Sequence, residues 1–147
     1  MPVAPVLADL RRVLDMVHAA RGLHIVLPPP TDAAFAGETE DLHEIVGNVL
    51  DNACKRARHE VRVALRVEPS PAGAQVLVTV EDDGPGIAAE QRAKLPRRGT
   101  RLDESVPGSG LGLAIAAELS ALYGGTLELH GEPPSGLRVQ IRLPAAT

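Results

Sequence analysis

Glycine and proline divide this chain into short segments, and no other feature limits its possible folds so strongly. The 147 residues include 14 glycines and 13 prolines. These residues concentrate at positions 28–30, 69–73, 84–86, 107–112, 124–125 and 131–136. Because both residues interrupt helices and strands, the clusters mark turns between elements. We find no internal repeat and no low-complexity tract.

Hydrophobic spacing between those turns predicts three helices and about five strands. Helices are expected over 3–21, 39–58 and 110–123, and strands over 23–27, 60–68, 75–82, 126–130 and 137–143, with a brief strand around Phe35. Apolar residues at helical spacing are Val6, Leu10, Val13, Leu14 and Val17 in the first helix, and Leu111, Ile115, Leu119 and Leu122 in the third. This order predicts an α+β fold, a two-layer α/β sandwich with a mostly antiparallel sheet.

Composition is typical of one globular domain and excludes several classes of protein. The chain is 44% hydrophobic and 23% charged, with a formal net charge of -4, so it has no basic footprint for nucleic acid. Its only aromatic residues are Phe35 and Tyr123, which leaves little surface for stacking bases. The single cysteine, Cys54, excludes an internal disulfide and is interpreted as a packed thiol. No apolar run approaches the roughly 18 residues of a membrane span.

The predicted helix at 39–58 has two distinct faces. Its apolar face consists of Leu42, Ile45, Val46, Val49, Leu50, Ala53 and Ala57, and its polar face of Glu44, Asn48, Asp51, Asn52 and Lys55. Asparagine is a poor helix former, yet two stand in mid-helix. Their neutral amide oxygens are hard ligands that suit Mg²⁺ and add no repulsion beside phosphates. The helix alone leaves open a solvated outer face or a site for a metal–polyphosphate.

Two glycine-rich stretches follow. Residues 81–87 (EDDGPGI) come directly after an apolar strand, where an acid can accept a hydrogen bond from an exocyclic amine such as that of adenine. A polar turn is the alternative interpretation. Residues 108–113 (GSGLGL) open the third helix, where backbone N–H groups can bind an anion. They lack the Lys-Ser/Thr of a Walker A loop, so a flexible hinge is equally compatible with them.

Cations separate the two stretches. Arg92, Lys94, Arg97, Arg98 and Arg101 lie within the long segment 83–109. Most are compatible with a solvated charged loop, and we single out Arg101 as a phosphate contact. Loops of this length in compact domains are lids, binding loops or disordered segments.

The three motifs occur in a recognisable order. They are Glu44-x3-Asn48-x2-Asp51-Asn52-Ala53-x-Lys55, then Asp82-Asp83-Gly84-Pro85-Gly86-Ile87, then Gly108-x-Gly110-Leu111-Gly112-Leu113. This trio resembles the N, G1 and G2 boxes of the GHKL ATPases, specifically the catalytic ATP-binding domain of bacterial sensor histidine kinases in the PhoQ-like branch. The resemblance covers nearly the whole chain. It implies the Bergerat ATP-binding fold, as one domain over 1–147 with an ATP lid at about 87–109.

The resemblance also implies a role for each matching residue. Asn48 would hold Mg²⁺, with Asn52 beside it on the phosphates, and Lys55 would reach the phosphates. Asp82 would accept the adenine amino group. Glu44 would polarise the attacking imidazole of a phosphoacceptor histidine. Further nucleotide contacts would come from Gly84, Gly86, Ile87, Arg101, Gly108, Gly110, Leu111 and Gly112.

Some positions depart from the family pattern. Arg56 stands where an aromatic residue often follows the lysine, residues 93–96 (AKLP) lack a phenylalanine, and Val106 replaces a second arginine. These departures bear on lid closure and phosphate affinity. The histidines do not supply a phosphoacceptor, since His43-Glu44 falls inside the first motif and His59-Glu60 opens a predicted strand. We interpret the others, His18, His24 and His130, as surface residues.

The resemblance therefore implies a protein histidine kinase domain that uses ATP and Mg²⁺. It would transfer the γ-phosphoryl group to a histidine on a separate dimerisation and phosphotransfer domain, and act on a response regulator indirectly. That domain, the sensor and the membrane segments would lie outside this chain. The fragment would be a cytoplasmic, monomeric part of a homodimeric inner-membrane protein. The alternatives are an ATP-binding module without transfer activity and a stand-alone anti-sigma-type serine kinase.

Overall fold

The computed structural model describes residues 2–85, 111–131 and 136–146. Its helices are α1 (Ala4–Val17), α2 (Thr39–Arg56) and α3 (Leu111–Leu122), and a 3-10 turn spans Ala19–Arg21. Its strands are β1 (His24–Val26), β2 (Glu60–Ser70), β3 (Gly73–Asp82), β4 (Thr126–His130) and β5 (Arg138–Pro144). The predicted helices and strands are thus confirmed, with ends shifted by a few residues. The expected brief strand around Phe35 is reduced to an isolated bridge with Ala145.

The five strands form one sheet in the order β1-β2-β3-β5-β4. The β1–β2 pair is parallel, and the three other pairs are antiparallel. Helix α2 contacts β2 and β3, α3 contacts β4 and β5, and α1 contacts α2. This arrangement confirms the predicted α+β sandwich with a mostly antiparallel sheet. Within the described ranges, no helix combines the length and apolarity needed to cross a membrane.

The core lies between the sheet and α2. Every residue of the predicted apolar face of α2 is buried. Strand residues alternate between the two faces of the sheet, and the face toward the helices is buried at Val61, Val63, Val76, Val78, Val80, Val139, Ile141 and Leu143. Each buried aliphatic side chain contributes roughly 1.5–3 kcal/mol. Aliphatic packing of this kind holds α2 in one rotational setting on the sheet.

The faces of α1 and α3 differ from the apolar sets found in the sequence. In α1, Val13 and Val17 are 50% and 64% exposed, because the face packed on α2 is that of Val6, Leu7 and Leu14. In α3, the buried side chains are Leu113, Ala114, Ala116 and Ser120, whereas Leu111 and Leu122 are exposed. Small residues on α3 allow a close approach to α2. Ile115 and Leu119 of the predicted apolar set are half-buried, and only the two ends of that set lie outside.

The two aromatic side chains pack on each other beneath Gly37. The Phe35 and Tyr123 rings meet edge to face with centroids 4.8 Å apart. The Tyr123 hydroxyl donates to Asp41 and accepts from the Glu38 amide at 3.3 Å. A Cβ at Gly37 would lie 2.4 Å from Phe35 Cζ and 2.5 Å from Tyr123 Cε1. The contact therefore ties the start of α2 to the end of α3 and requires glycine.

We expect Gly37→Ala to lower the free energy of unfolding by about 2 kcal/mol, because the added methyl group overlaps two rings that have no room to move. Urea unfolding measures the change. Gly47→Ala is the matched control, since its Cβ would meet only the flexible end of Leu10 at 3.3 Å. Because alanine is the better helix former, that variant should stay within about 0.5 kcal/mol of the wild type. Equal losses in both variants would contradict the steric explanation.

Candidate functional site

A cavity of about 270 Å³ separates the polar face of α2 from the start of α3. It is lined by Asn48, Asp51, Asn52 and Lys55 from α2 and by Leu111, Gly112 and Ile115 from α3. Four of the five residues of the polar face therefore line a cavity, while Glu44 remains on the exposed surface. The structure brings together residues from the first and third sequence motifs, which are far apart in the chain.

Asn48 is held by the residue one turn before it. Its Nδ2 donates to the Glu44 backbone oxygen at 2.8 Å and to Glu44 Oε1 at 3.3 Å. These bonds orient the amide group. A Cβ at Gly112 would lie 3.4 Å from Asn48 Oδ1, so α3 starts directly beside that oxygen. A methyl group at that distance would make ordinary van der Waals contact with Asn48 Oδ1.

Asn52 is almost completely buried, at 3% exposed. Its Oδ1 has no hydrogen-bond partner among the described residues. Leaving a buried acceptor unpaired costs about 1–3 kcal/mol, so an oxygen of this kind fits a cation or a donor that arrives with a ligand. Within the same residues, no group of three or more His, Cys, Asp or Glu side chains could hold a metal ion. Oxygen atoms in this cavity that suit Mg²⁺ are the amide oxygens of Asn48 and Asn52 and the Asp51 carboxylate.

Asp51 joins two cationic or donor groups from different elements. Its Oδ2 lies 3.0 Å from Lys55 Nζ, and its Oδ1 lies 3.2 Å from His18 Nε2. The His18 side chain is only 10% exposed, so its interpretation as a surface residue is wrong. The reason is tertiary, since α1 ends at Val17 and its packing on α2 places the next residue against Asp51. His24 is exposed as expected, and His130 is partly buried.

Asp82 ends β3 and is buried at 7% exposed. Its Oδ1 accepts hydrogen bonds from the backbone N–H groups of Gly84 at 2.8 Å and Leu137 at 3.4 Å. Burial raises the pKa of this carboxyl, against the bond from Gly84. A Cβ at Gly84 would lie 2.3 Å from the Arg56 carbonyl oxygen, so only glycine fits there. Asp82 is thereby fixed beside the C-terminal end of α2.

Asp83 has a structural role, which the sequence analysis did not predict. Its carboxylate accepts from the backbone N–H groups of Arg58 at 2.7 Å and His59 at 3.0 Å. It therefore pins the turn between α2 and β2. Asp83 follows the last residue of β3, so the regular alternation of a strand does not set its direction and gave no signal for this role. Desolvation opposes ionisation of Asp83, but the hydrogen bonds led by His59 outweigh it and lower its pKa.

The remaining predicted nucleotide contacts belong to the two glycine-rich stretches and the segment between them. They lie outside the described residues, as does the predicted lid at 87–109; these contacts are Gly86, Ile87, Arg101, Gly108 and Gly110.

Cys54 lies in the described part and is buried, which confirms the packed thiol. Its desolvation, together with the nearby Asp51 charge, raises the thiol pKa to about 12.

Comparison with known proteins identifies the family. Residues 37–147 match the family described as "Histidine kinase-, DNA gyrase B-, and HSP90-like ATPase". The chain belongs to this family. This confirms the resemblance that the three motifs indicated.

Within this family, the chain is similar to sensor kinases. The chain is 42% identical to the sensor protein kinase CarS of Pseudomonas aeruginosa, over 95% of this chain and 30% of that protein. It is 37% identical to the sensor protein PhoQ of Escherichia coli K12, over 95% of this chain and 28% of that protein. It thus spans less than a third of the length of these curated relatives.

Solved structures of sensor histidine kinases are also similar to this chain. The mycobacterial sensor histidine kinase MprB superposes with a TM-score of 0.74 at 30% identity, covering 99% of this chain and 95% of that one. The ATP-binding domain of PrrB from Mycobacterium tuberculosis gives a TM-score of 0.75 at 26% identity, covering 100% and 96%. This chain therefore has the fold of sensor histidine kinase ATP-binding domains.

We expect Asp83→Ala to cost about 1 kcal/mol of stability at pH 7, because a partly exposed carboxylate then no longer bonds the α2–β2 turn. The folded-state pKa of Asp83 is lowered, so its contribution is present above the ordinary aspartate pKa of about 3.9 and is lost as pH falls through the lowered value. Urea unfolding from pH 7 to pH 2 should therefore show the two proteins converging in acid. The exposed Asp32 supplies the control Asp32→Ala. A difference that is independent of pH would contradict a role for the charge.

Proposed function

We propose that this chain binds ATP with Mg²⁺ and transfers the γ-phosphoryl group to a histidine on a separate helical domain, as the catalytic domain of a sensor histidine kinase. The observation that carries the proposal is the cavity between α2 and α3. It sets Asn48, Lys55 and the buried Asn52 Oδ1, which has no partner in the described part of the chain, against Gly112. Neutral oxygens, one cation and a helix start are the groups that a metal–polyphosphate requires.

The nucleotide would lie along α2. The base would bind at the C-terminal end, where Asp82 Oδ2 accepts the adenine amino group and Gly84, Gly86 and Ile87 allow the purine against the backbone. The phosphates would bind nearer Asn48, eight residues before Arg56, which is roughly 12 Å along a helix. The fixed position of Asp82 Oδ1 on two backbone N–H groups supports this assignment, since it orients the carboxylate before any ligand arrives.

The phosphate end would be built from amide oxygens, backbone N–H groups and cations. Asn48 would hold Mg²⁺, which when bound neutralises charge on the phosphates, and Asn52 would lie beside it on the phosphates. Lys55 would contact the phosphates, with Arg101 as a second cation. Backbone N–H groups of Gly108, Gly110, Leu111 and Gly112 would face them at the start of α3.

Glu44 would act on the phosphoacceptor. It is exposed on α2 one turn before Asn48, so a histidine from another domain can reach it. Its carboxylate would accept a hydrogen bond from one ring nitrogen of that histidine. The other ring nitrogen would then be the better nucleophile for the γ-phosphorus. In phosphoryl transfer such positioning and charge neutralisation supply most of the catalysis.

The wider context is part of the same proposal. The chain would be one ATP-binding domain over 1–147 with a lid at about 87–109. Its partners would be a dimerisation and phosphotransfer domain and, indirectly, a response regulator, within a homodimer whose catalytic part faces the cytoplasm from the inner membrane. Support comes from the relatives, which are named sensor kinases and are more than three times as long as the matched region.

One observation favours a second candidate, an ATP-binding module without transfer activity. Residues 93–96 (AKLP) of the predicted lid lack the phenylalanine of the family pattern, and Val106 replaces a second arginine, so these departures bear on lid closure, which transfer requires. The two candidates predict the same nucleotide binding and differ only in transfer.

Calorimetry with and without Mg²⁺ tests nucleotide binding. We expect Mg²⁺-dependent ATP binding by the wild type and a loss of at least about tenfold in affinity for Asn48→Ala, because a metal-ligating oxygen is removed. Gln75→Ala, which removes an amide from β3, is the control and should bind like the wild type. An Asn48→Ala variant that retains the full Mg²⁺ dependence would show that the metal lies elsewhere.

Phosphotransfer is tested by mixing the chain with a helical phosphoacceptor domain and labelled ATP. The product should be an acid-labile, base-stable phosphoprotein. Glu44→Gln should slow its formation about 100-fold, since an amide cannot polarise the imidazole. Its ATP affinity should persist, because the glutamine oxygen can still accept from Asn48 Nδ2. Normal ATP binding with no labelled protein in the wild type would support the binding module instead.

A further inference from the structure

His18 connects two cavities. It lines a cavity of about 440 Å³ between α1 and β1, together with Arg11, Asp15 and His24. It also contacts Asp51, which lines the proposed nucleotide cavity between α2 and α3. The proposed mechanism gives this nearly buried histidine no role, although it contacts a residue of the nucleotide cavity.

A chain of polar contacts runs from His18 to Lys55. His18 Nε2 lies 3.2 Å from Asp51 Oδ1, and Asp51 Oδ2 lies 3.0 Å from Lys55 Nζ. The Asp51–Lys55 pair by itself is a half-exposed i,i+4 pair on one helix, and such pairs contribute only about 0.3–0.5 kcal/mol. A donor from another element that holds the second carboxylate oxygen restricts Asp51 much more than Lys55 alone does.

The end of α1 is clamped, so His18 is a rigid anchor. Arg21, three residues further on, donates from Nη1 to the Cys54 carbonyl oxygen at 2.6 Å and from Nη2 to that of Ala57. These are carbonyl groups at the C-terminal end of α2, where a cation is favourable. His18 and Arg21 thus attach the same short segment to α2 at two points.

We propose that His18 is a positioning residue for the nucleotide phosphates, acting through Asp51 on Lys55. It holds Asp51 in the orientation that keeps Lys55 Nζ at the cavity wall, and it draws part of the carboxylate charge away from the ammonium group. Without His18, Asp51 would move more and would compete more strongly with phosphate oxygens for Lys55. Both effects weaken phosphate binding. This inference rests on the proposed function, because it takes Lys55 as a phosphate contact.

The test compares the affinities of Mg-ATP and adenosine in variants of the whole chain. His18→Leu replaces the donor with an apolar side chain of similar size, while His18→Gln keeps a side-chain N–H. We expect His18→Leu to weaken Mg-ATP binding about fivefold and to leave adenosine binding unchanged, because adenosine has no phosphates for Lys55 to hold. His18→Gln should recover most of the loss. His24→Ala, at an exposed histidine lining the same outer cavity, should bind both ligands like the wild type.

A double-mutant cycle separates positioning from general structural support. In a Lys55→Ala background, His18→Leu should have no further effect on the Mg-ATP affinity. A loss that persists in that background, or that extends equally to adenosine, would overturn the inference. So would wild-type ATP affinity in His18→Leu. If the wild type itself binds no ATP, the proposed function fails and this inference falls with it, an outcome distinct from the others. Thermal unfolding checks that each variant is folded, and His18→Gln reports on the same contact if the leucine variant is not.

Discussion

The burial of one complete face of α2 is the interaction on which the rest of the structure depends. Six aliphatic positions of this helix, from Leu42 to Ala53, pack into the core together with Ala57 just after it. Since consecutive helical residues are 100° apart, fixing one face fixes the direction of every other side chain. The opposite face then meets the start of α3, and Asn48, Asn52 and Lys55 line the cavity between the helices. The core therefore sets the geometry of the candidate site.

The site is assembled at a cost to stability. Asn52 Oδ1 is buried without a partner in the described part of the chain, and Asp82 is a carboxyl group whose burial raises its pKa. A chain selected only for stability would pair or replace the Asn52 amide and avoid the buried Asp82 carboxyl, so the presence of both is typical of binding sites. Asp83, next in sequence, shows the contrast. Its oxygens are occupied by backbone N–H groups of the α2–β2 turn, and its pKa is lowered.

Glycine solves a separate steric problem at two positions near α2. Gly37 leaves room for the paired aromatic rings, and Gly84 for the carbonyl of Arg56. Of these two, only Gly84 borders the candidate site. Glycines in the sequence therefore meet packing requirements at some positions and functional ones at others. For this reason the sequence pattern of a turn cannot be distinguished from that of a ligand-binding loop before the fold is known.

The sequence by itself determined the elements, the two faces of α2 and the order of the three motifs, because these depend on local spacing and on the chemistry of single residues. It also indicated the family, since three weak motifs in one order are specific together. Tertiary structure alone decided the strand order, the parallel β1–β2 pair and the buried faces of α1 and α3. It also decided that His18 meets Asp51, 33 residues away. Periodicity reports that a helix has an apolar side, but which residues of that side are covered depends on the neighbour that packs against it. For α3 that neighbour requires small residues, and for His18 it supplies a carboxylate that no local pattern could reveal.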